Sequence, residues 1–168
     1  SYWVSSKLVG YGPINHTLDA SIIDVISPSN KIVHFRKNPI CSKPEVIIQN
    51  TGSNTLTSLR IEYWINNSTT SEIFEWNGSL DFLEKENVIL PDPSSLWNNL
   101  SSSNNIFYAK ISQPNNSIDE YSHNNEIRSS FETASNYPNN FVLRLQTNNG
   151  IFDAFNQISE TSWEFLDN

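Results

Sequence analysis

The sequence predicts an all-β chain folded as an antiparallel two-sheet sandwich, and three observations carry that expectation. Leu59, Ile61, Tyr63 and Ile65 alternate with Arg60, Glu62, Trp64 and Asn66, the period-two pattern of a strand with one buried and one wet face. Short apolar runs recur along the chain between clusters of Gly, Pro, Asn and Ser, as in a sandwich of about seven strands. No segment longer than about ten residues holds an i, i+3, i+4 apolar spacing, which excludes a helical bundle.

Taken in order, residues 2–9 read as extended and end at the turn cluster Gly10-Tyr11-Gly12-Pro13. Residues 18–26 form the next strand, closed by Ser27-Pro28-Ser29-Asn30, and residues 33–36 form a short edge-like run before Asn38-Pro39. The run Pro44-Glu45-Val46-Ile47-Ile48-Gln49 leads through an Asn50-Thr51-Gly52 turn into the strand 56–65. A polar turn at 67–70 precedes a strand at 72–76, and Asn77-Gly78-Ser79 turns the chain again. Residues 84–90 are a further strand, stopped by Pro91-Asp92-Pro93. Residues 95–100 make one helical turn capped by Ser94 or Ser95. Residues 106–111 and 126–131 then pair around the loop that holds Asp119 and Glu120.

The pattern breaks at 133–138, after which Phe141, Leu143 and Leu145 alternate with Val142, Arg144 and Gln146, and residues 160–166 offer a return strand. Two strands alone are marginal in water. Residues 136–168 are therefore read as the start of a following β domain or a docked hairpin, and residues 1–16 as the last strand of a preceding one. Residues 17–135 become an immunoglobulin-like seven-stranded antiparallel β-sandwich. Val46, Ile48, Leu59, Ile61, Tyr63, Phe107 or Tyr108, Ile127 and Phe131 are its expected core. The apolar terminal segments call for covering surfaces, so the chain is expected to be a mature or internal piece of a longer protein.

Composition narrows the partners. Only 17% of the 168 residues are charged, yet the net charge is −8 with no Lys/Arg cluster, which disfavours nucleic acid and anionic membrane surfaces. No apolar run reaches the ~20 residues of a membrane helix, so membrane insertion is not expected. Asn, Ser and Thr fill the loops, as is common in secreted or cell-surface proteins. Cys41 is the single cysteine, so no internal disulfide or C-x-x-C site exists; it reads as a small buried hydrophobe or a partner for a cysteine elsewhere.

Three segments carry a family resemblance. Asp19-Ala20-Ser21-Ile22-Ile23-Asp24-Val25, then Pro44 through Gly52, then Ile118-Asp119-Glu120-Tyr121 with Asn124-Asn125, resemble the CARDB family of cell-adhesion-related bacterial domains over residues 17–133. That resemblance implies a seven-stranded sandwich used as a spacer or contact module in secreted proteins. Asn38-Pro39-Ile40-Cys41, Leu56-Thr57-Ser58-Leu59, the loop from Pro114 to Asn125, and Glu160-Thr161-Ser162-Trp163-Glu164 resemble the region behind the catalytic jelly rolls of secreted peptide-N-glycosidase F-related proteins. Such proteins are often exported by the type IX system. The catalytic acids of that family lie in the upstream jelly rolls, so the resemblance implies architecture here and not glycan release.

Each chemical candidate has a plainer reading beside it. Asp119, Glu120, Asn124 and Asn125 offer oxygen ligands for calcium, but they lack the order and the glycine of a calcium-loop motif. Asp119 and Asn125 hydrogen-bonding their own loop is the simpler expectation. His16, His34 and His123 have no zinc spacing. Glu84 and Glu86 share a strand face as paired glycosidase acids could, yet charges at the head of an edge-like strand are usually solubilising. There is no G-x-S-x-G elbow and no phosphate loop, and no cofactor is expected. Sequons at Asn15, Asn66, Asn67, Asn77, Asn99 and Asn115 are about as many as this composition gives by chance, and mark loops.

Trp64, with Arg60 and Glu62 on the face opposite Ile61 and Tyr63, is the sharper feature. It could pack against a neighbouring domain, enter the core through sheet twist, or stack on a sugar. The expected function is a non-catalytic spacer or interaction module. The partners are neighbouring domains of the parent, other cell-surface or secretion-system proteins, or glycans. A non-catalytic part of a peptide-N-glycosidase F-like hydrolase and a carbohydrate-binding module are the alternatives.

Overall fold

The computed structural model describes residues 14–37 and 43–133. The strands expected at 2–9, 141–145 and 160–166, and Cys41, lie outside the described residues. Seven strands are described: β1 (Ala20–Ser27), β2 (Glu45–Asn50), β3 (Leu56–Ile65), β4 (Glu72–Leu80), β5 (Lys85–Ile89), β6 (Asn104–Ser112) and β7 (Glu126–Glu132). They form two antiparallel sheets, β1-β2-β5 and β4-β3-β6-β7, the two layers of an immunoglobulin-like sandwich.

The alternation of β3 dictates this packing. Leu59, Ile61, Tyr63 and Ile65 are buried, and each is paired or flanked by inward residues of β6 such as Phe107, Ala109 and Ile111. Val25, Val46, Ile48 and Val88 close over them from the three-stranded sheet. Of the adjacent aromatics in β6, Phe107 enters the core at 0% exposure while Tyr108 points out. Phe131 is fully buried and Ile127 packs half-buried at the rim. In the core, Tyr63 donates its hydroxyl to the Pro91 carbonyl at 2.8 Å. Burial, with Glu72 and Asp92 adding to it, pushes its pKa up to about 12, so it stays a neutral donor.

Among the described residues the chain crosses between the sheets after β2, after β4 and after β5, and the first two crossings meet at Asn50. Its Oδ1 accepts the Gly52 N–H at 3.0 Å, which closes the expected Asn-Thr-Gly turn. Its Nδ2 donates to the carbonyls of Asn54 and Leu80, both at 2.8 Å. Its own backbone N–H reaches the Glu84 carbonyl at 3.1 Å, and its carbonyl accepts from Leu83 at 2.8 Å. Gly52 is required there because a Cβ would sit 2.6 Å from the Asp19 nitrogen and 2.8 Å from the Thr17 oxygen.

Four local expectations are corrected. Residues 33–36 are not an edge strand: Ile32–His34 is a 3-10 turn, and Phe35 and Arg36 are left-handed at φ 57° and 52°. The cause is Asp24, whose carboxylate bonds Lys31 and, at 2.8 Å, His34 Nε2, curling the segment onto β1. Asn77-Gly78-Ser79 does not turn the chain, because β4 runs on to Leu80 with a register shift opposite Leu56 and Ser58. Gly78 is instead explained by the Trp76 indole, whose Cζ2 would lie 2.3 Å from a Cβ. The reversal falls at 81–84, where the Asp81 N–H donates to Glu84 Oε2 at 2.8 Å, so Glu84 closes the turn that precedes β5. Glu86 is no free solubilising charge either: it accepts the Trp76 indole N–H at 3.1 Å.

The last correction concerns the helical turn, a 3-10 stretch from Ser94 to Asn99 that follows Pro93 without a side-chain cap. Ser95 donates instead to Glu72 Oε1 at 2.8 Å. Two sequon asparagines are structural as well. Asn66 and Asn115 sit at φ 54° and 47°, and their amide nitrogens donate to Asn99 and Asn105, and to the Thr55 carbonyl, respectively. Asn77 lies within β4, not in a loop.

Two measurements probe this architecture. Ile61→Ala, at a site 0% exposed between the sheets, should cost about 2–5 kcal/mol in urea denaturation. Asn50→Ala leaves two buried backbone groups and one part-buried one without their partner and should cost about 2–4 kcal/mol. A loss under about 1 kcal/mol would show that the crossings hold without it.

Candidate functional site

Directly paired residues on antiparallel strands point to the same side, so the register lays out the wet face of the four-stranded sheet row by row. Trp64, Tyr108 and Arg128 form one row. Ile73, Glu62, Lys110 and Glu126 form the next, and Glu75, Arg60 and Ser112 the third. Arg60, Glu62 and Trp64 thus share a face, and Trp64 does not enter the core. The Trp64 and Tyr108 rings are parallel within 3° with centroids 5.2 Å apart. That separation is close to the strand spacing of about 4.8 Å, so the rings stand up from the sheet and stack face to face.

Charges of both signs frame this pair. Arg60 Nε donates to Glu75 Oε1 at 2.7 Å and Ser71 Oγ to Glu62 Oε1 at 2.5 Å, while Ile73 is 53% exposed beside them. Exposed ion pairs of this kind contribute little to stability, about 0–1 kcal/mol. Their effect is to set a charge pattern around an aromatic ridge. A sugar-stacking platform needs a whole ring face turned to solvent, whereas here each ring covers one face of the other. Tyr108 was not separable from Phe107 in the sequence; only the register with Trp64 places it.

The second cluster is the β6–β7 loop, and it brings in an acid that sequence reasoning missed. Asp119 Oδ2 accepts the Ala20 N–H at 3.1 Å and its Oδ1 the Tyr121 N–H at 2.9 Å, which ties the loop to the start of β1. Glu120 accepts from the Thr17 backbone at 3.0 Å and from the Thr17 hydroxyl, and these bonds hold its carboxyl below the usual range. Asn124 Nδ2 reaches the Asp19 oxygens at 3.3 and 3.4 Å. The Asn125 side chain does not bond its loop: its Oδ1 is buried without a partner, as is that of Asn124. The four calcium candidates are therefore near one another, but both carboxylates are engaged by backbone. Among the described residues no three His, Cys, Asp or Glu side chains form a metal-holding group.

Asp19 is 3% exposed. Burial pushes its carboxyl above the usual range, and the charge of Asp119 adds to the shift. The histidines are also placed: His16 and His123 flank the Tyr121 ring at 5.6 and 5.3 Å, and His34 sits on Asp24. No described helix is long and apolar enough to cross a membrane.

The fold and this wet face define an immunoglobulin-like sandwich domain. No family model and no curated protein matches the chain. Among solved structures it is similar to the CARDB domain of a Pyrococcus furiosus protein in complex with di-metal ions, at 18% identity and a TM-score of 0.38, over 53% of this chain and 70% of that one. It is also similar to a domain, residues 272–376, of a Methanosarcina acetivorans protein ascribed to the cell surface, at 13% identity and a TM-score of 0.47, over 71% of this chain and 95% of that one.

Asp19 gives a pH dependence of definite sign. A carboxyl whose folded pKa exceeds its unfolded value, near 3.8, stabilises the fold when protonated, and that contribution fades as pH rises through the raised value. Asp19→Asn, neutral at every pH, should therefore melt higher than the parent chain at about pH 7 and level with it at about pH 3. A lower melting point for Asp19→Asn at neutral pH would show that the carboxylate itself is needed.

Proposed function

We propose that this chain is a non-catalytic spacer and contact module of a secreted or cell-surface protein, and that it meets a neighbouring domain of the same parent through the ridge of Trp64 and Tyr108. The carrying observation is the outer face itself: an aromatic stack flanked by Arg60, Arg128, Lys110, Glu62 and Glu126. Aromatic and arginine side chains are the usual anchors of protein contacts. Rows of mixed charge suit a partner of complementary pattern and oppose a phosphate backbone or a bare anionic surface. Stacking fixes both rings before any partner arrives, which lowers the ordering cost of association.

The resemblance of residues 38–41, 56–59 and 114–125 to secreted peptide-N-glycosidase F-related proteins supports a parent of that kind, exported by the type IX route, in which this sandwich spaces or adheres and the chemistry lies elsewhere. Sugar stacking on Trp64 is the weaker reading, since the ring face toward β6 is already taken by Tyr108.

The test uses the chain with the separately expressed flanking domains of its parent. Trp64→Glu should lower their affinity at least tenfold in calorimetry, while costing no more than about 1.5 kcal/mol of stability. Unchanged affinity in a folded variant would remove this face from the proposal.

A further inference from the structure

Two exposed surfaces share no residue with the Trp64 face, and each carries what the other lacks. The first is the loop from Ser29 to Lys37, where Ile32, Val33 and Phe35 stand 76%, 71% and 89% exposed. The second is the turn Asp81-Phe82-Leu83-Glu84, where Phe82 and Leu83 stand 42% and 53% exposed. We infer that the loop of one copy of this chain docks on the turn of the next, so that copies associate head to tail.

Both surfaces are held in shape before any contact. The Ser29 N–H donates to the Lys37 carbonyl at 2.6 Å and closes the loop, the Phe35 N–H donates to the Ile32 carbonyl at 2.9 Å, and the Asp24 carboxylate bonds Lys31 and His34. In the turn, the Leu83 N–H donates to the Asn50 carbonyl at 2.8 Å and Gln49 Nε2 to the Leu83 carbonyl at 2.9 Å. Each surface puts a large apolar residue in the left-handed region, Phe35 at φ 57° and Leu83 at φ 67°, where bulky side chains are uncommon. Backbone strain that turns apolar side chains to water is the mark of a contact surface.

Charge selects the partner. The chain carries −8 overall, yet residues 29–37 hold Lys31, Arg36 and Lys37 and no acid. Lys31 is paired with Asp24, whereas Arg36, which shares a hollow with Asn30 and Glu132, makes no ion pair among the described residues, and neither does Lys37. The turn holds Asp81 and Glu84 and no cation; their carboxylates take the Thr55 hydroxyl and the Asp81 N–H and meet no described cation. Two unpaired cations beside one apolar patch thus match two unpaired acids beside the other. The loop leaves β1 where Ser27 pairs with Glu45, and the turn enters β5 where Lys85 pairs with Gln49, so the two lie at opposite ends of the three-stranded sheet. Unlike surfaces so placed make a heterologous contact, which repeats from copy to copy instead of closing as a two-fold dimer.

Sedimentation velocity of the full chain reads this association. The weight-average sedimentation coefficient should climb with concentration past that of a dimer, and should fall as salt rises from about 0.05 to about 0.5 M. Phe35→Asp and Leu83→Asp, which place a residue tolerant of the left-handed region at exposed sites, should each weaken self-association at least tenfold. Mixed in equal amounts, the two variants should form a 1:1 dimer and stop there, because one keeps only its turn and the other only its loop. Arg36→Glu, which leaves every apolar side chain in place, should also weaken association at least tenfold. A chain that stays monomeric up to about 1 mM overturns the inference. So does association that saturates at a dimer, association undiminished by Arg36→Glu, or a variant mixture that stays monomeric while both circular-dichroism spectra match the parent's.

Discussion

Everything in this sandwich depends on one buried amide. Asn50 is 1% exposed, lies at the end of β2, and is bonded to the loop leading to β3, to the last residue of β4 and to the turn before β5. A sandwich must hand its chain from one sheet to the other, and each transfer strands backbone groups that no ladder can pair. Here a single side chain serves the first two of the three transfers, those after β2 and after β4. An apolar residue of the same size would leave those groups dry and unpaired, whereas the amide offers one acceptor and two donors where they are needed.

How much of this could be read in advance depended on whether neighbours along the chain set the outcome. The alternation of β3 fixed its inner and outer residues correctly, because period two is a local property and one face is fully buried. The failures were decided by particular side-chain contacts that turn and strand propensities do not encode. Asn77-Gly78 has turn chemistry, yet it stays in β4 because the Trp76 ring needs the space a Cβ would fill. Residues 32–36 have a strand's composition, yet Asp24 draws Lys31 and His34 into a curl with no sheet partner.

The sites divide in the same way. Arg60, Glu62 and Trp64 were legible as one face from spacing alone, but the partner ring was not, since residues 106–109 are apolar on both faces and only cross-strand register tells Phe107 from Tyr108. Asp119 was recognisable as a loop-forming residue. Asp19 was not, because its burial arises from a loop about a hundred residues away that folds over the start of β1.

The poles of the sandwich have a mechanical consequence. Ala20 is paired with Asn50 at one end, while Glu132 is paired with Asn104 at the other, so the chain enters β1 and leaves β7 at opposite ends. If the parent is stretched between anchors, force runs lengthwise through strands that lie in different sheets. It then loads the β1–β2 and β6–β7 ladders in shear, where many hydrogen bonds resist together, instead of peeling them open one at a time. The contact of Asn30 with Ser130 and Glu132 stitches those two terminal strands across the layers. A domain wired in this way meets lengthwise force with both sheets at once.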